Sequence, residues 1–189
     1  QVEDLFAEHL HHRTPSSPMA GLWHTLTGPL NTIVHLWPYD SIQQRFDVRD
    51  AMMIPPRWPP PLRPFLFEME SVILMPTRFS PDLGPAEHGM LYEFCFDSYL
   101  PGGIAVCRDA WEAAIEKRRG ESPLVFCGTS EFGRLNQWVH IWAYRNHEHR
   151  DEVLAKLKRN GDWPPAAGLE LLQRQNSFFA APAACSHLR

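Results

Sequence analysis

The spacing of hydrophobic residues predicts alternating strands and helices in the second half of the chain. Tyr92, Phe94 and Phe96 occupy every second position, which predicts a strand over 90–99 because successive strand side chains point to opposite faces. From 104 to 119, apolar residues recur at helical spacing, which predicts an amphipathic helix that ends before Gly120. The remaining patterns predict, in order, a strand at 123–130, a strand at 135–144, a helix capped by Asn146 that runs to about Arg159, a helical turn at 166–172 and a strand at 177–181.

The first half repeats this order of elements from its first helix onward. Its patterns predict a helix at 2–12, strands at 21–26 and 30–39, a helix at 41–53 and a strand at 71–75. The order in the second half is that of the split βαβ or ferredoxin-like plan, in which the first strand is central. No strand precedes the first helix, so we expect a hole between two neighbouring strands and interpret the chain as truncated at its N-terminus.

A sequence repeat with an offset of 105 residues relates the two halves. The stretches 28–45 and 133–150 share eight of 18 residues, whereas chance would give about one. The repeat therefore indicates a duplicated structural unit. We predict an α+β fold in which tandem ferredoxin-like (βαββαβ) units form a pseudo-dimeric α/β barrel within one chain, with the first unit lacking its first strand. The predicted boundaries are 1–80 for the first unit, 81–89 for the linker and 90–189 for the second unit.

The repeated strand presents polar and aromatic residues on one face and small aliphatic residues on the other. We expect the aliphatic face to pack on the helices and the polar-aromatic faces of the two copies to enclose a shared lumen. This lumen is the candidate site for a small hydrophobic ligand. Its lining residues are Asn31, His35, Trp37 and Tyr39 in the first copy and Asn136, Trp138, His140, Trp142 and Tyr144 in the second.

Two interpretations of these residues stay open. In the first, His35 or His140 is the polar anchor of a ligand or cofactor pocket, because desolvation favours the neutral imidazole that binds heme or a metal or acts as a base. In the second, the same side chains form a hydrogen-bonded core at a sheet interface. Arg45 and Arg150 follow the motif on helices, where we predict structural ion pairs.

Composition and charge limit the functional classes. The net charge is -4 at pH 7, and no basic run exceeds the three residues 117–119, so we expect no nucleic-acid partner. No apolar run reaches the roughly 20 residues of a membrane-spanning helix. The four cysteines have neither CxxC nor metal-ligand spacing, which favours reduced thiols in a cytoplasmic protein, or a mitochondrial-matrix protein if the source is eukaryotic. No catalytic residue and no metal site are predicted.

The repeated motif resembles the NIPSNAP family. It reads Gly-x-Leu-Asn-x-x-Val-His-x-Trp-x-Tyr in both copies, and the run from Glu70-Ser71 to Ser80-Pro81 is also similar to the family. The resemblance implies a dimeric α/β barrel and roles in vesicle traffic or mitochondrial signalling. The family's first strand typically reads Tyr-Glu-x-Arg-x-Tyr, whereas Cys95 and Asp97 stand at the arginine and second tyrosine positions.

Two classes of function follow from the pattern and the resemblance. The leading interpretation is a non-catalytic binding or interaction module, because the chain has no catalytic motif. The alternative is a small-molecule or heme-handling monooxygenase-type enzyme that uses the histidine-lined lumen, by analogy with sister families of the barrel superfamily that degrade heme or modify antibiotics. Open sheet edges could also pair two chains into a homo-oligomer.

Overall fold

The computed structural model describes residues 1–53, 58–161 and 163–189. In these residues four α-helices accompany one sheet of seven antiparallel strands, which confirms the α+β class. The elements are α1 (Val2–Arg13), β1 (Gly21–Thr25), β2 (Ile33–Leu36), α2 (Ile42–Met53), β3 (Ile73–Pro76), β4 (Leu91–Tyr99), α3 (Gly103–Arg119), β5 (Leu124–Phe132), β6 (Gln137–Tyr144), α4 (His147–Asn160) and β7 (Leu172–Pro182).

The seven strands form one curled sheet in the order β2-β1-β7-β4-β6-β5-β3. Its four central strands come from the second half, with β4 paired to β6 on one side and to β7 on the other. The first half adds β1 beside β7 and β3 beside β5, so the two halves share a single sheet. The strands β2 and β3, between which the sequence predicts a hole, are the two ends of this sheet.

The two faces of β6 pack oppositely to the prediction. Trp138, Trp142 and Tyr144 pack with residues of α3 and α4, whereas the small aliphatic residues Val139 and Ile141 belong to a cluster on the opposite, inner face of the sheet. The prediction that the repeated aromatic face of β6 lines a shared lumen is therefore wrong, because this face lies against α3 and α4. The physical reason is volume, because aromatic residues of other strands already fill the inner face and leave room only for small side chains on β6.

Local backbone geometry explains two differences in strand length. The strand predicted at 30–39 is shortened to β2, because Asn31 takes a left-handed backbone conformation with φ 57° and closes the turn before it. Asn136 does the same before β6 with φ 56°. The last strand is longer than predicted, since β7 pairs with β4 from Leu172 to Ala180, and the helical turn shrinks to the three residues Leu169–Leu171.

The helix boundaries agree with the sequence patterns. The side chain of Asn146 caps α4 by accepting a hydrogen bond from the backbone N–H of His149 at 2.8 Å, and Gly161 ends it with φ 66°. Within the described residues no helix is both long and apolar enough to cross a membrane.

Candidate functional site

Seven buried or half-buried side chains beneath α3 and α4 form two hydrogen-bonded arms, which the contact of the Arg118 guanidinium with the Trp142 ring joins. We call them the second-half cluster. Its members come from β4, β6 and the two helices, and they include two carboxylates and two guanidinium groups. The cluster consists of Glu93, Asp97, Arg118, His140, Trp142, Tyr144 and Arg150.

Glu93 is the centre of one arm of the cluster. The Arg150 guanidinium donates to both of its carboxylate oxygens, at 2.7 and 3.2 Å, and the Tyr144 hydroxyl donates to Oε2 at 3.3 Å. Arg118 in turn donates to the Tyr144 oxygen at 2.8 Å. The hydrogen bond from Arg150 to Glu93 raises the pKa of Arg150, whereas desolvation lowers the pKa of Arg118. Arg150 and Glu93 thus form an ion pair.

His140 is the centre of the other arm. The Trp142 indole N–H donates to His140 Nδ1 at 2.9 Å, and His140 Nε2 lies 3.3 Å from an Asp97 carboxylate oxygen. Because an indole nitrogen can only donate, Nδ1 must accept and the ring proton is assigned to Nε2, which donates to Asp97. Gln175 donates to the other Asp97 oxygen at 3.3 Å. Both nitrogens of His140 are thus engaged, and the residue is 8% exposed.

The first half repeats the central contacts of this cluster. The Trp37 indole N–H donates to His35 Nδ1 at 2.7 Å, and Arg13 donates to the Tyr39 hydroxyl. The Arg13 guanidinium lies 5.0 Å from the Trp37 ring centroid, as Arg118 lies 3.8 Å from that of Trp142. We call Arg13, His35, Trp37, Tyr39 and Arg45 the first-half cluster.

Sequence reasoning missed the arginines that complete both clusters. Arg13 and Arg118 are separated by the same 105 residues as the repeated strands, and so are Ser17 and Ser122. Both pairs lie outside the window of dense identity, so a search limited to that window does not find them. In the second half Arg118 donates to Ser122 Oγ at 2.7 Å.

The two clusters differ in charge, since the first-half cluster contains two arginines and no carboxylate. In the described part of the chain, Arg13 Nε, Arg13 Nη1 and Ser17 Oγ are buried without a hydrogen-bond partner, whereas Arg118 leaves only Nε unpaired. Arg45, predicted to form an ion pair, instead donates to Ser71 Oγ at 3.2 Å. Desolvation lowers the pKa of Arg13, and its neighbours Arg45 and Arg49 add to that effect.

The remaining candidate residues lie in turns or in the hydrophobic core. Asn31 and Asn136 are the left-handed turn residues already described. Trp138 is fully buried against Trp111 and Phe79. Two cavities, of about 460 and 370 Å³, are lined by residues between 59 and 69 and by residues between 78 and 112, and none of the candidates is among these lining residues.

The cysteines carry free thiols, and burial raises their pKa values. For Cys107 the pKa rises to about 11. Among the residues that the structure describes, no group of three or more His, Cys, Asp or Glu side chains is arranged to hold a metal ion.

Comparison with known proteins identifies the family to which the chain belongs. The sequence model of the NIPSNAP family matches residues 1–81 and 93–187, which include both clusters. The chain belongs to the NIPSNAP family. NipSnap homolog 3A of Homo sapiens is 29% identical over 201 residues, covering 97% of this chain and 78% of that protein. NipSnap homolog 1 of Danio rerio is 22% identical over 199 residues, covering 100% of this chain and 70% of that protein.

Solved structures of NIPSNAP proteins align with about half of this NIPSNAP chain. Protein Atu4242 from Agrobacterium tumefaciens shares 28% identity with a TM-score of 0.49, covering 53% of this chain and 100% of that one. An uncharacterized NIPSNAP domain protein from Burkholderia xenovorans shares 25% identity with a TM-score of 0.46, covering 51% of this chain and 97% of that one.

Proposed function

We propose that this NIPSNAP chain is a non-catalytic binding module that interacts with other proteins. The packing of the inner face of the sheet carries the proposal. Trp23, Tyr92 and Phe94 are buried there, with the Phe94 ring stacked on Phe178 at a centroid distance of 5.0 Å. A substrate lumen requires concave volume with a few convergent polar groups. This face instead holds interlocked aromatic and aliphatic side chains, as the core of a rigid scaffold does.

The second-half cluster supports the same proposal. A general acid or base must exchange its proton with a substrate, so one of its atoms has to face the substrate. Both ring nitrogens of His140 form hydrogen bonds within the cluster, and the Glu93 carboxylate accepts hydrogen bonds from Arg150 and Tyr144. These contacts balance the buried charges against each other, which is what stability requires of them.

The second-half cluster does not fit heme. A histidine that ligates heme iron needs one ring nitrogen without another partner, and both nitrogens of His140 have partners. In the first half, His35 Nδ1 accepts a hydrogen bond from Trp37, and His35 is on the end strand of the sheet and lines neither of the two cavities described above. We therefore derive no heme chemistry and no monooxygenase step from these residues.

The proposal includes the organisation and cellular roles that the family resemblance implies. Two ferredoxin-like units, at 1–80 and 90–189, form an intrachain pseudo-dimer joined by 81–89. The module then acts by binding protein partners in vesicle traffic or mitochondrial signalling, in the cytoplasm or the mitochondrial matrix. The single sheet to which both halves contribute strands supports this organisation.

Heme titration tests the non-catalytic proposal. We expect no saturable Soret band when heme is added to the wild-type chain, and the same traces for His35→Ala and His140→Ala. A saturable band that one of these substitutions abolishes would overturn the proposal and restore the heme-handling alternative. Circular dichroism of each variant establishes that the compared proteins are folded.

A further inference from the structure

The turn that closes the β1–β2 hairpin holds an exposed leucine on a fixed backbone. The Thr25 hydroxyl donates to the carbonyl oxygen of Pro29 at 2.6 Å and accepts from the backbone N–H of Thr32 at 3.3 Å. Leu30 lies inside this hydrogen-bonded loop and is 64% exposed. Leu26, which directly follows β1, is also exposed. The turn therefore presents two apolar side chains to solvent.

The β5–β6 hairpin repeats this turn at the offset of 105 residues. The Ser130 hydroxyl donates to the carbonyl oxygen of Arg134 at 2.6 Å and accepts from the backbone N–H of Gln137 at 3.3 Å. Leu135, the counterpart of Leu30, is 63% exposed, and Phe132 at the end of β5 is exposed as well. The two copies thus form the same turn with the same exposed leucine.

The exposure of these leucines does not depend on their surroundings in the sheet. The first turn lies close to Phe178 of β7, a strand that is paired on both sides, whereas the second lies close to Val72 beside the end strand β3. The turn needs the positive φ angles of its Gly and Asn residues, but its backbone places no demand on the leucine side chain. An exposed leucine that both copies carry on a rigid turn favours a role in binding.

Both turns lie at the same end of the curled sheet. From β1 to β5 the strands follow the order β1-β7-β4-β6-β5, and every neighbouring pair is antiparallel. The strands β1, β4 and β5 therefore run in the same direction, and the turns after β1 and β5 are at one end. Leu100, which directly follows β4, adds a further exposed apolar side chain at this end. A surface that faces this end of the sheet can contact both turns.

We propose that the two turns bind the surface of a neutral lipid bilayer by inserting Leu30 and Leu135 into its apolar region. The inference goes beyond the protein-binding function, because it assigns a lipid partner to this end of the molecule. Backbone groups that enter a bilayer lose their hydrogen bonds to water and must be satisfied within the protein. The hydroxyls of Thr25 and Ser130 already pair a carbonyl and an N–H inside each turn.

Charge and size favour a bilayer over the other occupants. Residues 25–32 contain no ionisable side chain, and within 130–137 the charges of Glu131 and Arg134 balance, so the turns offer no complement to acidic lipids. An interface with a folded protein, including a second copy of the chain, uses about 20 to 30 residues a side. Two projecting turns supply only a few. A bilayer takes up each apolar side chain separately, so the turns suffice for weak, reversible binding.

Sedimentation with phosphatidylcholine vesicles tests the proposal. The wild-type chain is expected to bind them saturably, and no more tightly when phosphatidylserine is included. Leu30→Ser and Leu135→Ser are each expected to weaken partitioning about tenfold, since each removes one apolar side chain from the bilayer. Met90→Ser is the matched control and is expected to change nothing, because Met90 is 66% exposed but precedes β4, at the opposite end of the sheet.

A second pair of variants covers the case in which the serine variants lose structure. Tryptophan is favoured at the interface of a bilayer, so Leu30→Trp and Leu135→Trp are each expected to strengthen partitioning several-fold. Circular dichroism spectra that match the wild type establish that the gain does not come from unfolding. Weaker or unchanged partitioning of both folded tryptophan variants would contradict the proposal.

Several other results would overturn the insertion of the leucines. These are the absence of binding to phosphatidylcholine, serine variants that bind as the wild type does, an equal loss in Met90→Ser, and binding that requires phosphatidylserine. A leucine-dependent dimer in analytical ultracentrifugation without vesicles would identify a second copy as the occupant instead. Failure here with a silent heme titration leaves the protein-binding function intact, whereas heme binding removes that function whatever the vesicles show.

Discussion

The two halves of the molecule carry the same motif in different electrostatic surroundings. In the second half, the carboxylates of β4 complete the contacts of His140, Tyr144 and Arg150. In the first half, the same Trp-to-His and Arg-to-Tyr contacts form, and no carboxylate joins them among the residues that the structure describes. The repeated motif therefore specifies only part of a cluster, and the neighbouring first strand specifies the rest.

The largest effect on stability is expected from removing Glu93, a carboxylate that has no equivalent in the first-half cluster. Glu93→Ala leaves Arg150 and Arg118 beneath the helices without their compensating charge, and breaking a buried ion pair in this way costs about 3 to 5 kcal/mol. We expect the free energy of unfolding to fall by an amount in that range, as measured by urea denaturation.

The matched control for this substitution is an exposed glutamate. Glu68→Ala is expected to change stability by no more than about 0.5 kcal/mol, since Glu68 is exposed. If Glu93→Ala lowered the free energy of unfolding no more than Glu68→Ala does, the second-half cluster would not contribute to stability. The carboxylates of β4 would then not distinguish the two halves energetically.

A smaller contrast is expected between the two repeated histidines. His140→Ala leaves Asp97 and the Trp142 N–H without a partner in a buried site, which costs about 1 to 3 kcal/mol. His35→Ala removes one hydrogen bond from Trp37 at the sheet end, where we expect less than about 1 kcal/mol. Denaturation of both variants in one buffer gives the comparison, and equal losses would show that the clusters are energetically alike.

The sequence predicted the elements well and the faces poorly. Helical spacing and caps located α3 and α4 to within one residue, because Asn146 and Gly120 act locally. The direction in which Trp142 and His140 point depends on which residues already occupy the inner face, such as Trp23 and Phe94, and strand alternation alone cannot decide it.

The candidate site was only partly predictable for a related reason. The offset of 105 identified His35, Tyr39 and their counterparts, and it assigned Arg150 to an ion pair. It did not name Glu93 or Asp97 as partners, since these lie on β4 and the first half offers no counterpart strand for comparison. Contacts between residues on different strands are set by strand order, which a repeat of local motifs does not reveal.

The smallest expected effect is the pH dependence of the first-half cluster. The ring centroids of His35 and Phe6 lie 5.7 Å apart. Desolvation, followed by the charges of Arg13 and Arg49, lowers the pKa of His35. A histidine with a lower pKa in the folded state binds fewer protons folded than unfolded. Its contribution is therefore fully present above the unfolded value of about 6.5 and is lost as the pH falls toward the folded-state pKa.

Stability profiles between about pH 5 and 8 check this sign, since that range spans the ordinary histidine pKa. Relative to His35→Gln, the wild-type chain is expected to lose stability on acidification, and Arg49→Gln is expected to weaken the loss by removing one repelling charge. Stabilisation of the chain on acidification would instead show that a carboxylate reaches His35, and the electrostatic difference between the two clusters would then be wrong.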